Sequence, residues 1–230
     1  MKKIFSIFIF FLCIVVFFSC AVQQKPPFVP VPDSQYFRHE RRYIRVNNII
    51  ETRDGVSVRH LPVWLQVFIF GGIEEIERNH NYRDKYVFVG SNEGVNFNAL
   101  SLWAGNFTPE QDFTILAAER IERRMISAAV LYPDFEYGLF FETMVKKAYN
   151  AVYSGAVKED TYWIKMRTDN DNMETESTEI YHFFVLISIE KHIMQAIIAG
   201  LMEEAVSAVT PTSAQQNAII RLRQNFFEGF

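Results

Sequence analysis

Apolar positions along this chain fall into three arrangements, and each predicts a different kind of element. The first is a nearly unbroken run over residues 4–18, with Lys2 and Lys3 before it and Ser19 and Cys20 after it. The second is spacing at three and four residues, which marks one face of a helix. Residues 62–78 carry it at Trp64, Leu65, Phe68, Ile69, Ile73 and Ile76, interrupted by Gly71 and Gly72, a pair that marks a kink or a close contact. The pattern is strongest after Thr108. There Thr108, Pro109 and Gln111 supply an N-cap, a first-turn proline and a capping box. Phe113, Leu116, Ala117, Ile121, Met125, Ala128 and Ala129 then share one face. Pro133 stops that helix, and Asp134 caps a second one running to about residue 153. Residues 190–209 and a terminal segment opened by the Thr212–Gln215 capping box predict two more helices.

The third arrangement is the short, dense apolar run of a strand. Residues 85–90 place Tyr86, Val87, Phe88 and Val89 on both faces, the pattern of a strand buried on both sides or central in its sheet. Residues 90–94 end it with turn chemistry. Residues 161–167 alternate, with Tyr162, Ile164 and Met166 on one face and Trp163, Lys165 and Arg167 on the other. Residues 179–189 are denser, and the polar stretch 168–178 connects the two as a hairpin. The order predicts an α+β fold: a small antiparallel sheet of about three strands, strand-helix-strand-strand, covered by helices on one side, with extra N- and C-terminal helices. Residues 59–230 form a single domain in this reading. Residues 20–58, stiffened by Pro26, Pro27, Pro30 and Pro32, form a tether.

A basic head, an apolar core and a small residue before a cysteine make a bacterial lipoprotein export signal over residues 1–19. Cys20 would become the acylated first residue. Phe17 and Phe18 depart from the usual leucine and small residue of that motif, whereas Ser19 fits. The apolar run is shorter than the roughly 20 residues a spanning helix needs. An uncleaved anchor, or a cut after Ala21 read from Ser19 and Ala21, are the competing outcomes. Cys13 and Cys20 are the only cysteines, so removal of the signal leaves a domain without disulfides, held by its core. Loss of Lys2 and Lys3 takes the formal charge from −4 to about −6. That acidity excludes nucleic acid as a partner and leaves membrane attachment to the acyl chains. Ala21 and Val22 stand where an aspartate would retain a lipoprotein in the inner membrane, which favours the outer membrane with the domain facing the periplasm.

Candidate chemistry is sparse. His39, His60, His80, His182 and His192 show no helical metal-ligand spacing, so neither a metal nor a cofactor is expected. The run Asp169, Asn170, Asp171, Asn172, Met173, Glu174 departs from a calcium loop at its fifth and sixth positions and reads as an acidic hairpin tip. No nucleophile elbow or phosphate-cradling glycine loop is present, and no catalytic residue is assigned. Glu74, Glu75 and Glu77 read as a solvated helix face. Arg38, His39, Arg41, Arg42 and Arg45 read as a solvated basic stretch, or as a contact with anionic headgroups or cell-wall polymer. Trp64, Trp103 and Trp163 lie in separate elements and read as core. Phe226, Phe227 and Phe230 are expected to pack back on the sheet or to dock on a partner.

Several short stretches together resemble a known group. They are Pro62-x-Trp64, the strand Tyr86-Val87-Phe88-Val89-Gly90, the helix Ala117-Ala118-Glu119-Arg120, and the pair Asp160-Thr161-Tyr162-Trp163-Ile164 and Tyr181-x-Phe183-Phe184-Val185-Leu186-Ile187. They are similar to the small Gram-negative surface and flagellum-associated lipoproteins typified by a twenty-kilodalton Helicobacter antigen. Phe17-Phe18-Ser19-Cys20 and the Phe226-Phe227-Glu228-Gly229-Phe230 ending resemble uncharacterised treponemal lipoproteins. The resemblance implies a domain without a known catalytic site, assembly into homo-oligomeric envelope rings, and envelope or flagellar partners. The helix at 134–153 is an addition to that pattern. The expectation is a non-enzymatic, lipid-anchored scaffold or interaction module. A small-ligand or lipid-binding periplasmic module and a cell-wall-acting enzyme are the alternatives.

Overall fold

Four strands, β1 (Ile49–Thr52), β2 (Lys85–Gly94), β3 (Val157–Thr168) and β4 (Thr178–Glu190), form one antiparallel sheet in the order β1-β3-β4-β2. The computed structural model describes residues 44, 46–55, 58–109, 111–130, 138–168, 178–228 and 230, all within the unit Arg41–Phe230. Among the described residues seven α-helices accompany the sheet: α1 (Val63–Gly71), α2 (Ile73–Arg78), α3 (Phe97–Asn106), α4 (Phe113–Val130), α5 (Gly138–Ala148), α6 (Lys191–Val209) and α7 (Ser213–Glu228).

The α+β class follows the sequence pattern, with a fourth strand added. That strand, β1, pairs with the far side of β3 at Ile49, Glu51 and Thr52, inside the stretch read as tether. Four residues broken by a bulge are too short to show an alternating pattern, so only pairing reveals the strand. Helices cover both faces rather than one. Val87, Val89, Phe184, Leu186, Tyr162, Ile164 and Met166 face a smaller core with Leu61, Trp64 and Leu65 of the α1 region and Ile76 of α2. Tyr86, Phe88, Phe183, Val185, Ile187 and Ile189 face a larger core built with α3 to α7. Two buried faces explain why β2 and β4 read as continuous apolar runs, whereas β3 alternates.

Boundaries moved where local signals competed with tertiary contact. Strand β2 runs through the expected turn to Gly94, because Ser91 to Gly94 pair with Phe184 to Tyr181. At Gly90 the sheet meets Phe107 so closely that a Cβ would lie 3.1 Å from the ring. Helix α3 was not anticipated, although the Asn96 side chain caps it by accepting from the Ala99 amide at 3.1 Å. The helix expected from Thr108 begins instead at Phe113. The Thr108 amide donates to Asp112 Oδ2 at 2.8 Å, and its carbonyl accepts from the Gln111 and Asp112 amides, which makes a separate turn. Helix α5 ends at Ala148 rather than near residue 153, and the Tyr153 hydroxyl beyond it donates to the Ala148 carbonyl. Pro133 and Asp134 lie outside the described residues.

The expected kink at Gly71 and Gly72 is a break between α1 and α2. Gly72 has φ 80° and ψ −173°, a conformation nearly confined to glycine, and its amide still donates to the Phe68 carbonyl. At the C-terminal end the second capping box forms as read: the Thr212 amide donates to Gln215 Oε1 at 2.9 Å, and the Gln215 amide donates to Thr212 Oγ1 at 3.4 Å.

Candidate functional site

Ionisable side chains gather in two places around the sheet. The first is the β-bulge of β3 between Lys158 and Asp160, which turns consecutive carboxylates to different partners. Asp160 Oδ2 accepts from Trp64 Nε1 at 2.9 Å, and its Oδ1 accepts from the Thr161 amide at 2.8 Å and from Arg53 at 3.4 Å. Arg53 also donates to the Thr161 carbonyl and lies 4.5 Å over the Tyr162 ring. Glu159 Oε1 accepts from Lys85 Nζ at 2.8 Å and from the Ser188 hydroxyl. Burial alone would raise the Glu159 carboxyl, but the bonds from Lys85 and Ser188 outweigh it and hold the group below its usual range. Lys85 is raised in turn, chiefly by its bond to Glu159. Burial, followed by the Glu159 charge, pushes the nearby Tyr82 hydroxyl up.

Beside this cluster is a cleft of about 140 Å³ lined by Val63, Trp64, Val67, Ile76, Asn79, Asn81 and Tyr82. Ligand pockets usually reach about 300–1,000 Å³, so this one suits a single small group at most. Ser188 is fully buried, with its hydroxyl committed to Glu159. The arrangement ties α1, and Arg53 just past β1, to β3.

The second gathering wraps the outer edge of β2. Glu77 of α2 lies on the small-core side and Arg120 of α4 on the large-core side. Arg120 donates to Glu77 Oε1 at 2.6 Å and Oε2 at 3.2 Å, a two-pronged pair whose side chains are only 16% and 13% exposed. Glu77 Oε1 also accepts from the Val87 amide at 2.8 Å, and Arg120 donates to the Val87 carbonyl at 3.2 Å. At Val87 the pair therefore fills the hydrogen-bonding positions that an edge strand leaves open. The guanidinium sits about 5 Å from the rings of Tyr86, Phe88 and Phe230, within cation–π range. The Tyr86 hydroxyl donates to the Phe230 carbonyl and accepts from Gln195 Nε2.

Sequence reasoning placed Glu77 on a solvated face with Glu74 and Glu75. Those two are exposed, whereas Glu77 is the residue adjacent to buried Ile76. The available signal was an arginine within the apolar stripe of α4, since residues 113, 117, 120 and 124 follow helical spacing. Arg124 donates to the Phe226 carbonyl at 2.9 Å and to the Asn225 carbonyl. It neutralises the C-terminal end of α7.

The other candidates stay apart. Cys20, the basic stretch Arg38, His39, Arg41, Arg42 and Arg45, and the acidic run at residues 169–174 lie outside the described residues. His60, His80 and His192 are exposed at separate places. His182 Nδ1 lies 3.3 Å from Glu93 Oε2 and stacks on Phe184. No group of three metal-binding side chains occurs among the described residues. Trp64 packs in the small core, while Trp103 and Trp163 pack against the large one. Trp163 meets Phe97, Tyr181 and Phe183 edge-on or stacked, an interlocked cluster. Phe226 is buried and stacks on Phe230. Compared with protein-family models, curated proteins and solved structures, the chain matches none.

Proposed function

We propose that this protein is a lipid-anchored lipoprotein of the cell envelope, whose α+β domain serves as a non-enzymatic scaffold or interaction module facing the periplasm. The observation that carries the reading is the sequence of residues 1–20: two lysines, an apolar core and Ser19 before Cys20. Acyl chains on Cys20 would hold it to the membrane more firmly than a single chain can. The residues at 21 and 22 favour the outer membrane. A scaffold role is supported by how the domain uses its charges. Glu77, Arg120, Glu159, Lys85 and Asp160 each bond to a neighbouring element and link α1, α2, α4, β2 and β3.

Acyl-chain labelling of the wild type and of Cys20→Ser tests the anchor. Label on the wild type alone is the expected result, and equal labelling of both would overturn it. Light scattering after size exclusion tests the scaffold. One defined oligomeric mass agrees with symmetric assembly, and a clean monomer redirects the reading toward a ligand-binding module.

A further inference from the structure

The cleft beside the small core is lined by two unlike sets of side chains. Val63, Trp64 and Val67 of α1, with Ile76 of α2, are apolar. Asn79, Asn81 and Tyr82, from the short turn His80–Tyr82 and its Asn79 cap, are polar without formal charge. The Trp64 indole N–H is held by Asp160, which fixes the ring that walls the cleft. Asn79 Oδ1 accepts from the Asn81 backbone amide at 3.2 Å. Among the described residues no hydrogen bond engages the Asn79 side-chain nitrogen, the Asn81 carboxamide or the Tyr82 hydroxyl. Burial, followed by the Glu159 charge, pushes that hydroxyl up, so it stays protonated and both donates and accepts.

These groups set the chemistry of an occupant. The cleft is far smaller than the roughly 300–1,000 Å³ that encloses a whole ligand, so it takes one group and leaves the rest outside. The nearest charges are already paired, Lys85 with Glu159 and Arg53 with Asp160, so an uncharged group fits best. A carboxamide donates through its nitrogen and accepts through its oxygen, which matches the C=O and N–H of a secondary amide. The apolar side chains match a methyl. An acetamido group joins both halves in one small unit. At the mouth Val63 is 66% exposed, and Asn81 is exposed as well. A pyranose ring has the same division, with an apolar C–H face and a hydroxyl edge.

We propose that this cleft binds an N-acetylated amino sugar, with the acetyl methyl against Val67 and Ile76, the amide on Asn79, Asn81 and Tyr82, and the sugar ring outside over Val63. The site goes beyond the scaffold reading and does not depend on acylation at Cys20. With only one group enclosed, a single sugar binds weakly, at a Kd of about 1 mM.

The test is saturation-transfer NMR on the full-length chain in sugar-free detergent micelles, with N-acetylglucosamine as the probe. The expected result is saturable binding in which the acetyl methyl receives the most saturation, with none passed to glucosamine or glucose at the same concentration. Asn81→Ala and Tyr82→Phe should each raise the Kd by about fivefold or more, the loss of one hydrogen bond. Asn81 is exposed and Tyr82→Phe removes only an unbonded oxygen, so both variants keep the fold. Ile220→Ser leaves the Kd unchanged, since Ile220 is exposed on α7 across the sheet. No transfer to N-acetylglucosamine at about fifty times the expected Kd overturns the site. Equal transfer to glucosamine overturns the acetamido assignment, and equal binding of N-acetyl-lysine methylamide overturns the sugar. A Kd that neither cleft substitution changes puts the sugar elsewhere on the molecule and overturns the cleft.

Discussion

Arg120 carries a permanent charge into the most apolar face of the molecule, and its surroundings show what that requires. Two bonds to Glu77, one to the Val87 carbonyl and three aromatic rings replace its water. Removing one member of a buried pair leaves the other uncompensated, at a typical cost of about 3–5 kcal/mol. Arg120→Ala should therefore lower stability in urea by about 3 kcal/mol, and it also bares the edge of β2. A loss below about 1 kcal/mol would mean that the pair behaves like a surface ion pair. Glu159 makes a prediction in pH. Its folded carboxyl lies below the ordinary value of 4.5, so its contribution is present above pH 4.5 and is lost as pH falls through the folded value. Melting temperature followed downward from about pH 4.5 should fall less steeply in Glu159→Gln than in the wild type. Parallel curves would remove Glu159 from the acid response.

Among the elements, the α1–α2 pair depends most on one residue. At Gly72 a Cβ would meet no atom within 4 Å, so any cost of adding one comes from the backbone at φ 80°. Gly72→Ala is expected to cost about 1–2 kcal/mol. Gly200 also has open space, but it sits inside α6. There Gly200→Ala should stabilise by about 1 kcal/mol, because alanine loses less backbone freedom in a helix. Thermal unfolding of the two variants compares them directly; shifts of the same sign would show that conformation at Gly72 is not what separates the helices. The capping boxes teach a related lesson. Thr212 and Gln215 bond each other as written. At Thr108 a nearby carboxylate, Asp112, takes the amide and delays the helix.

At the scale of the whole molecule, the C-terminal aromatics close the large core. Phe226 is buried there, and Phe230 packs edge-on against Tyr86, 4.9 Å between ring centroids, next to Arg120. Loss of a buried phenylalanine side chain alone costs about 3–5 kcal/mol. Deleting residues 224–230 should therefore produce a marked fall in melting temperature and aggregation in static light scattering. A soluble truncated monomer with the wild-type melting temperature would instead make this end a docking surface.

By itself the sequence determined the α+β class, the helices α4, α6 and α7 and the three long strands, because each rests on local periodicity. Tertiary structure decided the rest. The short strand β1 exists only through its pairing with β3, and the far half of β2 only through β4. Glu77 and Arg120 are 43 residues apart in sequence and acquire a role only when α2 and α4 close on the two sides of one strand. The covering of both sheet faces follows from the same fact. A strand's sequence records that its sides are buried, but which helix buries each side depends on how the chain returns in space.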